Sequence, residues 1–583
     1  MSRRTSTRAV INLFDTTAKQ DGAYAVNDIL SFCDIGRLDE DEIETVKFGT
    51  LEDGGFLLDG SCQIMDESVQ TADFGYWSAM MSDEHGSFST NPKIERQFYE
   101  NHSAAGLTLT FDRQYPLPKR VRVTFENSIG ELIGSEVFNV DRYTYFCNLK
   151  ADDFRCMSLE FLQTESHQYA RLNGIDYGRK LEYSQDAEKN LSKATLLEEL
   201  NITSSEVSVN TSSVTVIDPD ETFNIDNPQG YYTLLQQRQK LDLYETINGV
   251  EYQMATHYIK TWETTSGVIS TFSCQDILGV MDGTSFSGGV YDVTPAHEII
   301  DEIMISFGWT DYYVDPEIAE MTLSGIIKPC SHRAALQQVL FACCGVIDTS
   351  RITGINMYRA SHTTQTIILS DRKFMSPAHS IKQMDLITDV EVTAHKFIKG
   401  SELKDAYKAA LDPGIYEVSL KSPFTNYTAI NCTILESDYF RIKLQIDVAA
   451  EVKVQGHPYE DSATIYRKAM PELPAGSFRN SKQVTDATLV SESNAARVAE
   501  HLYEYYQYRL NHELKIICED EKVGNFSAVK TQQNMVAVVL ESMSLDLTGG
   551  FLASCKGIGY ALKIGDYDYA GNELKTGDEI GVM

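Results

Sequence analysis

The sequence lacks several things, and each absence narrows what it does. No run of about 20 apolar residues exists, so no helix is long and apolar enough to cross a membrane. Met1–Asn12 carries Arg3, Arg4 and Arg8 but not the apolar core of a signal peptide, which counts against a secreted adhesin. Paired Cys-x-x-Cys knuckles are missing, and the 11 cysteines are an odd number without framework spacing. Neither structural zinc nor a disulfide scaffold is expected, and the pattern fits folding in a reducing cytoplasm. Basic residues are scarce: 50 Lys and Arg stand against 84 Asp and Glu, a formal net charge of −34. Tight binding to nucleic-acid backbones depends on basic side chains that displace counterions, so it is not expected here.

Catalytic signatures are missing too. There is no G-x-S-x-G elbow and no Gly-rich phosphate loop. His297-Glu298 begins a helical stretch, but Asp301 occupies the place of the second zinc-binding histidine. Cys343 or Cys344 with His332 would make a thiol dyad, yet these residues lie on an apolar helix, where buried thiols are inert. A glycosidase needs two carboxylates flanking one bond, and no pair stands out among 84 acidic residues. Asp566–Gly571 matches a calcium loop at its first, third and sixth positions but carries Ala570 at the fifth and Gly577 at the bidentate twelfth. A β-turn is the better reading. No catalytic residue, cofactor or metal ligand is therefore assigned, and the chain is read as a non-enzyme.

What is present is a long, strand-rich chain. At 583 residues it exceeds one core, and about four domains of roughly 150 residues are expected. Hydrophobic content of 42% with 10% aromatics is ample for packed domains. Residues 1–60 are hard to assign, and Asp39–Glu42 reads as a solvated face. Between 61 and 180, alternating strands at Gly106–Phe111, Val121–Phe125, Phe154–Phe161 and Tyr169–Gly178 imply a β-sandwich. From 181 to 290, Val207–Asn210, Val214–Val216 and Gln237–Leu241 read as strands with one wet face. From 291 to 384 the period becomes helical. Thr294-Pro295 starts a helix burying Ala296, Ile299, Ile300, Ile303, Met304 and Phe307, with Gly308 as its stop. A second helix is capped by Ser331 and buries Ala335, Leu336, Val339, Leu340 and Cys343. Strands at Ile355–Tyr358 and Thr366–Leu369 are expected to close this α/β unit. Residues 385–475 return to strands, and Pro471–Phe478 is a connector. Residues 476–583 hold a helix opened by Ser493-Asn494, with Ala495, Ala499, Leu502, Tyr506 and Leu510 on one stripe, and then strands.

Two orders of features carry a resemblance. The first is an alternating strand, the acidic turn Asp218–Glu221, a polar strand, and then Ser273-Cys274-Gln275-Asp276-Ile277-Leu278. The second is a helix ending in Tyr505-Tyr506-Gln507-Tyr508-Arg509, then Glu521–Asn525, then Glu541–Phe551. Together they resemble the phage tail and baseplate hub family, found at the tail tips of phages and in phage-tail-like bacteriocins. The N-terminal strands, through Gly106–Asp112 to Ala170–Gly178, resemble a jelly-roll, carbohydrate-binding-like module. The fold class implied is mainly β with α/β insertions: an N-terminal jelly-roll sandwich, then two tube-like β-barrels plus α+β domains. The resemblance implies a homotrimer whose two barrels per chain make a ring of six, joining a six-fold tail tube to a three-fold spike.

Implied partners are a tail tube or distal tail protein, a central spike, the tape-measure protein and other baseplate proteins. DNA would pass without specific binding, through a channel expected to be lined by part of the chain's acidity. The location implied is a virion tail tip assembled in a bacterial cytoplasm, with no membrane insertion. Many relatives continue into a peptidoglycan-cleaving domain, whereas here Met583 follows the last barrel, so a lysis enzyme or spike is expected to be a separate protein. The alternative is a tail-tip protein that binds or cleaves cell-wall glycan through its sandwich. Tyr76 and Trp77, with Asp73 and Asp83, would form the platform, because sugars stack on exposed rings flanked by planar polar groups. Against this, Trp77 is the kind of residue that plugs a sandwich core.

Overall fold

The computed structural model describes residues 3–40, 48–52, 55, 74–186, 189–219, 221–227, 239–359, 367–369, 374–530 and 535–561. It is mainly β, with a few short helices, most of them between Ile277 and Cys343.

The N-terminal sandwich packs a five-stranded sheet against a second layer. The first sheet runs in the order Ala23–Val26, Lys93–Ala104, Ala151–Gln163, Arg120–Glu126, Leu132–Asn139. The second contains Gly174–Ser184, Leu107–Thr110 and Thr144–Cys147. Alternation, broken between Phe154 and Met157 where the pairing is irregular, fills the space between them: Val121, Val123, Phe125, Phe154, Met157, Leu159 and Phe161 face Leu107, Leu109, Ile175 and Tyr177. The second layer is not closed on itself as a separate jelly roll would be. Thr5–Phe14, in the stretch that the sequence left unassigned, pairs antiparallel with Gly174–Ser184 on one side and Lys240–Ile247 on the other. Its Ala9, Ile11 and Leu13 enter the core of the next unit.

That next unit continues the same sheet through Lys240–Ile247, Val250–Thr265, Ile269–Gln275, Thr211–Ile217 and Leu191–Glu199. Leu191–Glu199 then pairs antiparallel with Met535–Asp546 from the far end of the chain, in the register Thr195↔Asp546, Leu197↔Ser544, Glu199↔Ser542. Beyond it lie Leu552–Ala561, Leu510–Ile517 and Phe374–Gln383. The two barrel-like units expected from the sequence are therefore halves of one sheet, with a shared core running from Val214, Leu243 and Phe272 to Leu514, Val538 and Leu545.

Several expectations shift. Val207–Asn210 is not a strand: Val207 packs into the helical core, and the Asn210 side chain bonds to backbone elsewhere. The described part of the polar strand near Gln237 begins at Lys240. Thr294 still belongs to a strand, paired with Leu323, so the helix Ala296–Phe307 starts after Pro295 with no side-chain cap. Its buried face is the expected one, and Gly308 ends it in the left-handed region at φ 79°. Ile367–Leu369 does not close the α/β unit; it pairs in parallel with Phe526–Lys530 of the closing sheet. Leu510 leaves the helical stripe and opens the strand Leu510–Ile517, because Ala495–Gln507 ends at Tyr508.

Helices Ile277–Asp282, Ala296–Phe307, His332–Cys343 and Ala495–Gln507 share one core with Val390 and Val392. A small all-β unit between Phe397 and Asp461 has its own core of Leu420, Ile442, Leu444, Ile446, Val452 and Val454.

The join between the two halves of the sheet is backed by an interior ion pair. Arg351 donates to both carboxylate oxygens of Glu198, at 2.9 and 3.0 Å. Glu198 has 1% and Arg351 14% of its side chain exposed. Removing one partner strands a charge in a low-dielectric interior, so Arg351→Ala should destabilise the protein by about 3–5 kcal/mol. The measurement is a shift of the urea midpoint, and a loss under about 1 kcal/mol would mean the pair behaves as a surface bridge.

Candidate assembly surface

One side of the joined sheet is dry and the other wet, as period-2 alternation requires. On the wet side, hydroxyls recur from strand to strand: Ser554, Ser544, Thr195, Thr211, Ser213, Ser273 and Thr261 are all partly or fully exposed. Thr215 and Thr271 lie across from each other with their hydroxyls 3.1 Å apart. Both signs of charge are mixed on this side: Lys193, Lys260, Lys382, Lys515 and Lys556 stand among Glu199, Glu263, Glu513 and Asp546. The acidity of the chain does not concentrate on this face.

At its centre the wet face hollows into a concavity of about 790 Å³. The floor comes from both halves, Thr195, Thr211, Ser213 and Ser273 on one and Ser544 on the other, and the rim includes Gly279 and Gly283 of the short helix and its cap.

That helix is placed by Asp276, which follows the strand Ile269–Gln275 directly. Its Oδ1 accepts from the Gly279 amide at 3.0 Å, as an N-cap does. Its Oδ2 accepts from the Asn210 amide at 3.0 Å and from the Thr349 hydroxyl at 2.6 Å. The Asn210 side chain takes the Glu199 amide at 2.7 Å and donates to Thr349 at 3.0 Å. One buried network thus ties the helix, the Thr349 loop and the end of the joining strand together. Burial pushes the Asp276 carboxyl up to about 6 despite these donors.

The proposed glycan platform lies inside the protein. Tyr76 is 0% and Trp77 1% exposed, so neither ring offers a face to a sugar. Tyr76 stacks on Phe161 at 5.7 Å. Trp77 packs edge-on against Phe74, Phe32 and Tyr115. The Arg171 guanidinium sits between the Trp77 and Tyr115 rings, 3.9 and 3.8 Å from their centroids, and is paired with buried Glu52. Asp83 is exposed and caps its own turn, accepting from the His85 and Ser87 amides at 2.8 and 2.9 Å. Asp73 lies outside the described residues, as does the Asp566–Gly571 turn.

The other chemistry considered is also dispersed. His332 and Cys343 stand at opposite ends of a 12-residue helix, about 16 Å apart at 1.5 Å per residue. His332 instead bonds the Thr284 and Ser306 hydroxyls at 2.8 and 3.2 Å. His297 bonds the Ala319 carbonyl at 2.9 Å, and Asp301 accepts from the Tyr312 hydroxyl at 2.7 Å.

Sequence reasoning missed Glu198, Arg351, Asn210 and Arg171. Of the residues around the join, Asp276 alone carried a local signal, as the polar residue between a strand and a helix.

No family model matches the chain, and no curated protein matches it. The solved structures with which it aligns include phage and prophage tail proteins. The 43 kDa tail protein of prophage MuSo2 from Shewanella oneidensis aligns at 10% identity and a TM-score of 0.38, covering 65% of this chain and 94% of that one. A tail protein from Neisseria meningitidis MC58 aligns at 8% identity and a TM-score of 0.39, over 65% and 93%. Prophage tail protein gp18 from Listeria monocytogenes EGD-e aligns at 9% identity and a TM-score of 0.35, over 64% and 96%.

Two outcomes are expected. Because Trp77 is buried in an aromatic cluster with Phe48, Phe74 and Tyr115, Trp77→Ala should cost about 3–5 kcal/mol; an unchanged melting temperature with lost binding to cell-wall glycan would reassign the ring as a sugar platform. Asp276 holds its proton more tightly folded, at about 6, than unfolded, at about 3.9. Its stabilising contribution is complete below pH about 4 and is lost as pH rises through 6. Denaturant titrations should therefore show wild type losing roughly 2 kcal/mol relative to Asp276→Asn between pH 4 and 7, and a flat difference would contradict this.

Proposed function

We propose that this chain is a structural hub at the tail tip of a phage or phage-tail-like particle, acting by assembly rather than catalysis. The observation that supports it best is the edge-to-edge pairing of Leu191–Glu199 with Met535–Asp546. It joins the two halves of the sheet edge to edge within one copy, with a wet face continuous across their boundary. Three copies in a ring would present six such halves around one channel, the geometry needed to match a six-fold tube on one side and a three-fold spike on the other.

In this reading the hydroxyl-rich face lines the channel around the tape-measure protein. Its lysines are interspersed with acids, so it is not the uniformly basic surface that would hold a nucleic-acid backbone as DNA passes. Contacts to the tail tube or distal tail protein, the spike and neighbouring baseplate proteins fall on the outer surfaces. The N-terminal sandwich serves as a docking module there. With Tyr76 and Trp77 buried, the glycan-binding alternative has no stacking surface among the described residues of its named site.

The subunit count tests the proposal. Mass photometry of the purified chain, alone or with tail partners, should give a trimer, and electron micrographs of the particle should show three copies around the axis. A stable monomer in solution together with one or six copies per particle would overturn it.

A further inference from the structure

The closing half of the sheet ends in Phe374–Gln383, which among the described residues pairs on one side only, with Leu510–Ile517. Two histidines meet across this outermost pairing. Nε2 of His379 and Nδ1 of His512 are 2.8 Å apart, with rings nearly parallel at 5.1 Å between centroids. His512 is 0% exposed and its Nε2 has no hydrogen-bond partner. The space for the ring is left by Gly557 and Gly559 on the next strand; a Cβ at Gly559 would come within 3.1 Å of that nitrogen.

We propose that the His379–His512 pair is an acid-released clasp on the outermost strand of the sheet: protonating it frees Phe374–Gln383 and bares the backbone edge of Leu510–Ile517. The proposal stands independently of the hub reading. A hydrogen bond between two imidazoles needs one N–H and one lone pair. Protonating both rings sets two N–H groups against each other, and the bond is lost. A charge on either ring finds no carboxylate among the described residues. Glu513 and Lys382 sit on the opposite face of the pairing, by alternation from His512 and Ile381. Leu552–Ala561 offers Gly557 and Gly559, Met535–Asp546 offers Val538 and Leu540, and Phe526–Lys530 offers the uncharged Ser527. Burial accordingly holds both imidazoles below the usual histidine range, His512 at about 4, with His379 as its only charged neighbour of consequence. Freed of its neighbour, the ring regains ordinary basicity near 6.5. Acid therefore favours the open edge, and the closed edge is fully favoured only above that value.

Hydrogen exchange read by mass spectrometry tests this on the intact chain. After correction for intrinsic rates, amides of Phe374–Gln383 should open about 20-fold more at pH 5 than at pH 7, from the shift of His512 alone. The central strand Thr211–Ile217 should not respond. In His512→Gln, which keeps a hydrogen-bonding amide but takes no proton, the effect should fall to threefold or less, as a rough bound. Equal opening at both pH values, or an undiminished effect in the variant, overturns the proposal. Should that variant fail to fold, exchange at the imidazole C2 position of wild type decides: a His512 midpoint below 5 supports the clasp, and one near 6.5 overturns it.

Discussion

Everything in this fold leans on a hydrogen-bonded edge between strands drawn from opposite parts of the chain. Leu191–Glu199 and Met535–Asp546 are separated by more than three hundred residues of chain. Closing so long a loop costs entropy that a single strand pair does not repay. The edge persists because its dry side is filled. Leu196 and Leu545, partners in the register, both lie in the shared core. Glu198, beside them, cannot be left unpaired, and Arg351 reaches it from a turn with φ at 57°. Arg351 also sits over Phe551, as does Arg3, which bonds the Cys518 carbonyl. The middle of the chain and its N-terminus thus converge behind the same boundary.

The same economy explains how the N-terminal sandwich is held. A module joined by a linker would be free to move. Here Thr5–Phe14 lies in the sheet of both units at once, so sandwich and first half share a continuous backbone ladder. The Arg171 cage fixes the far side: a buried guanidinium tolerates burial only with its charge answered by Glu52 and its faces covered by aromatic rings. Trp77 is thereby committed to the interior.

The wet face follows from the dry one. Once alternate residues of the joining strands are committed to the core, those between them must face out, and their chemistry decides what that surface tolerates. Short hydroxyl side chains bring hydrogen-bonding capacity without the reach or charge excess of lysine or glutamate. Asp276 then sets where the helix closes the concavity, because its carboxyl answers a helix N-terminus, the Asn210 amide and Thr349 together.

Local features of this chain were legible in its sequence. Alternation in Val121–Phe125 and Thr211–Ile217, the helical stripe of Ile299, Ile300, Ile303 and Met304, and the caps Ser331 and Gly308 all act within a few residues. The mainly β class follows from them. Which strands would neighbour which did not: Thr5–Phe14 looks like any short apolar stretch, and nothing local distinguishes Ile367–Leu369 as part of the closing sheet rather than the α/β unit. The residues behind the join were equally hidden. Glu198 and Arg351 are ordinary charged residues until folding brings them to 2.9 Å across 153 positions. Side-chain period is a property of neighbouring residues, whereas strand pairing is decided by the whole core, so the tertiary structure alone could assign the join and the ion pair behind it.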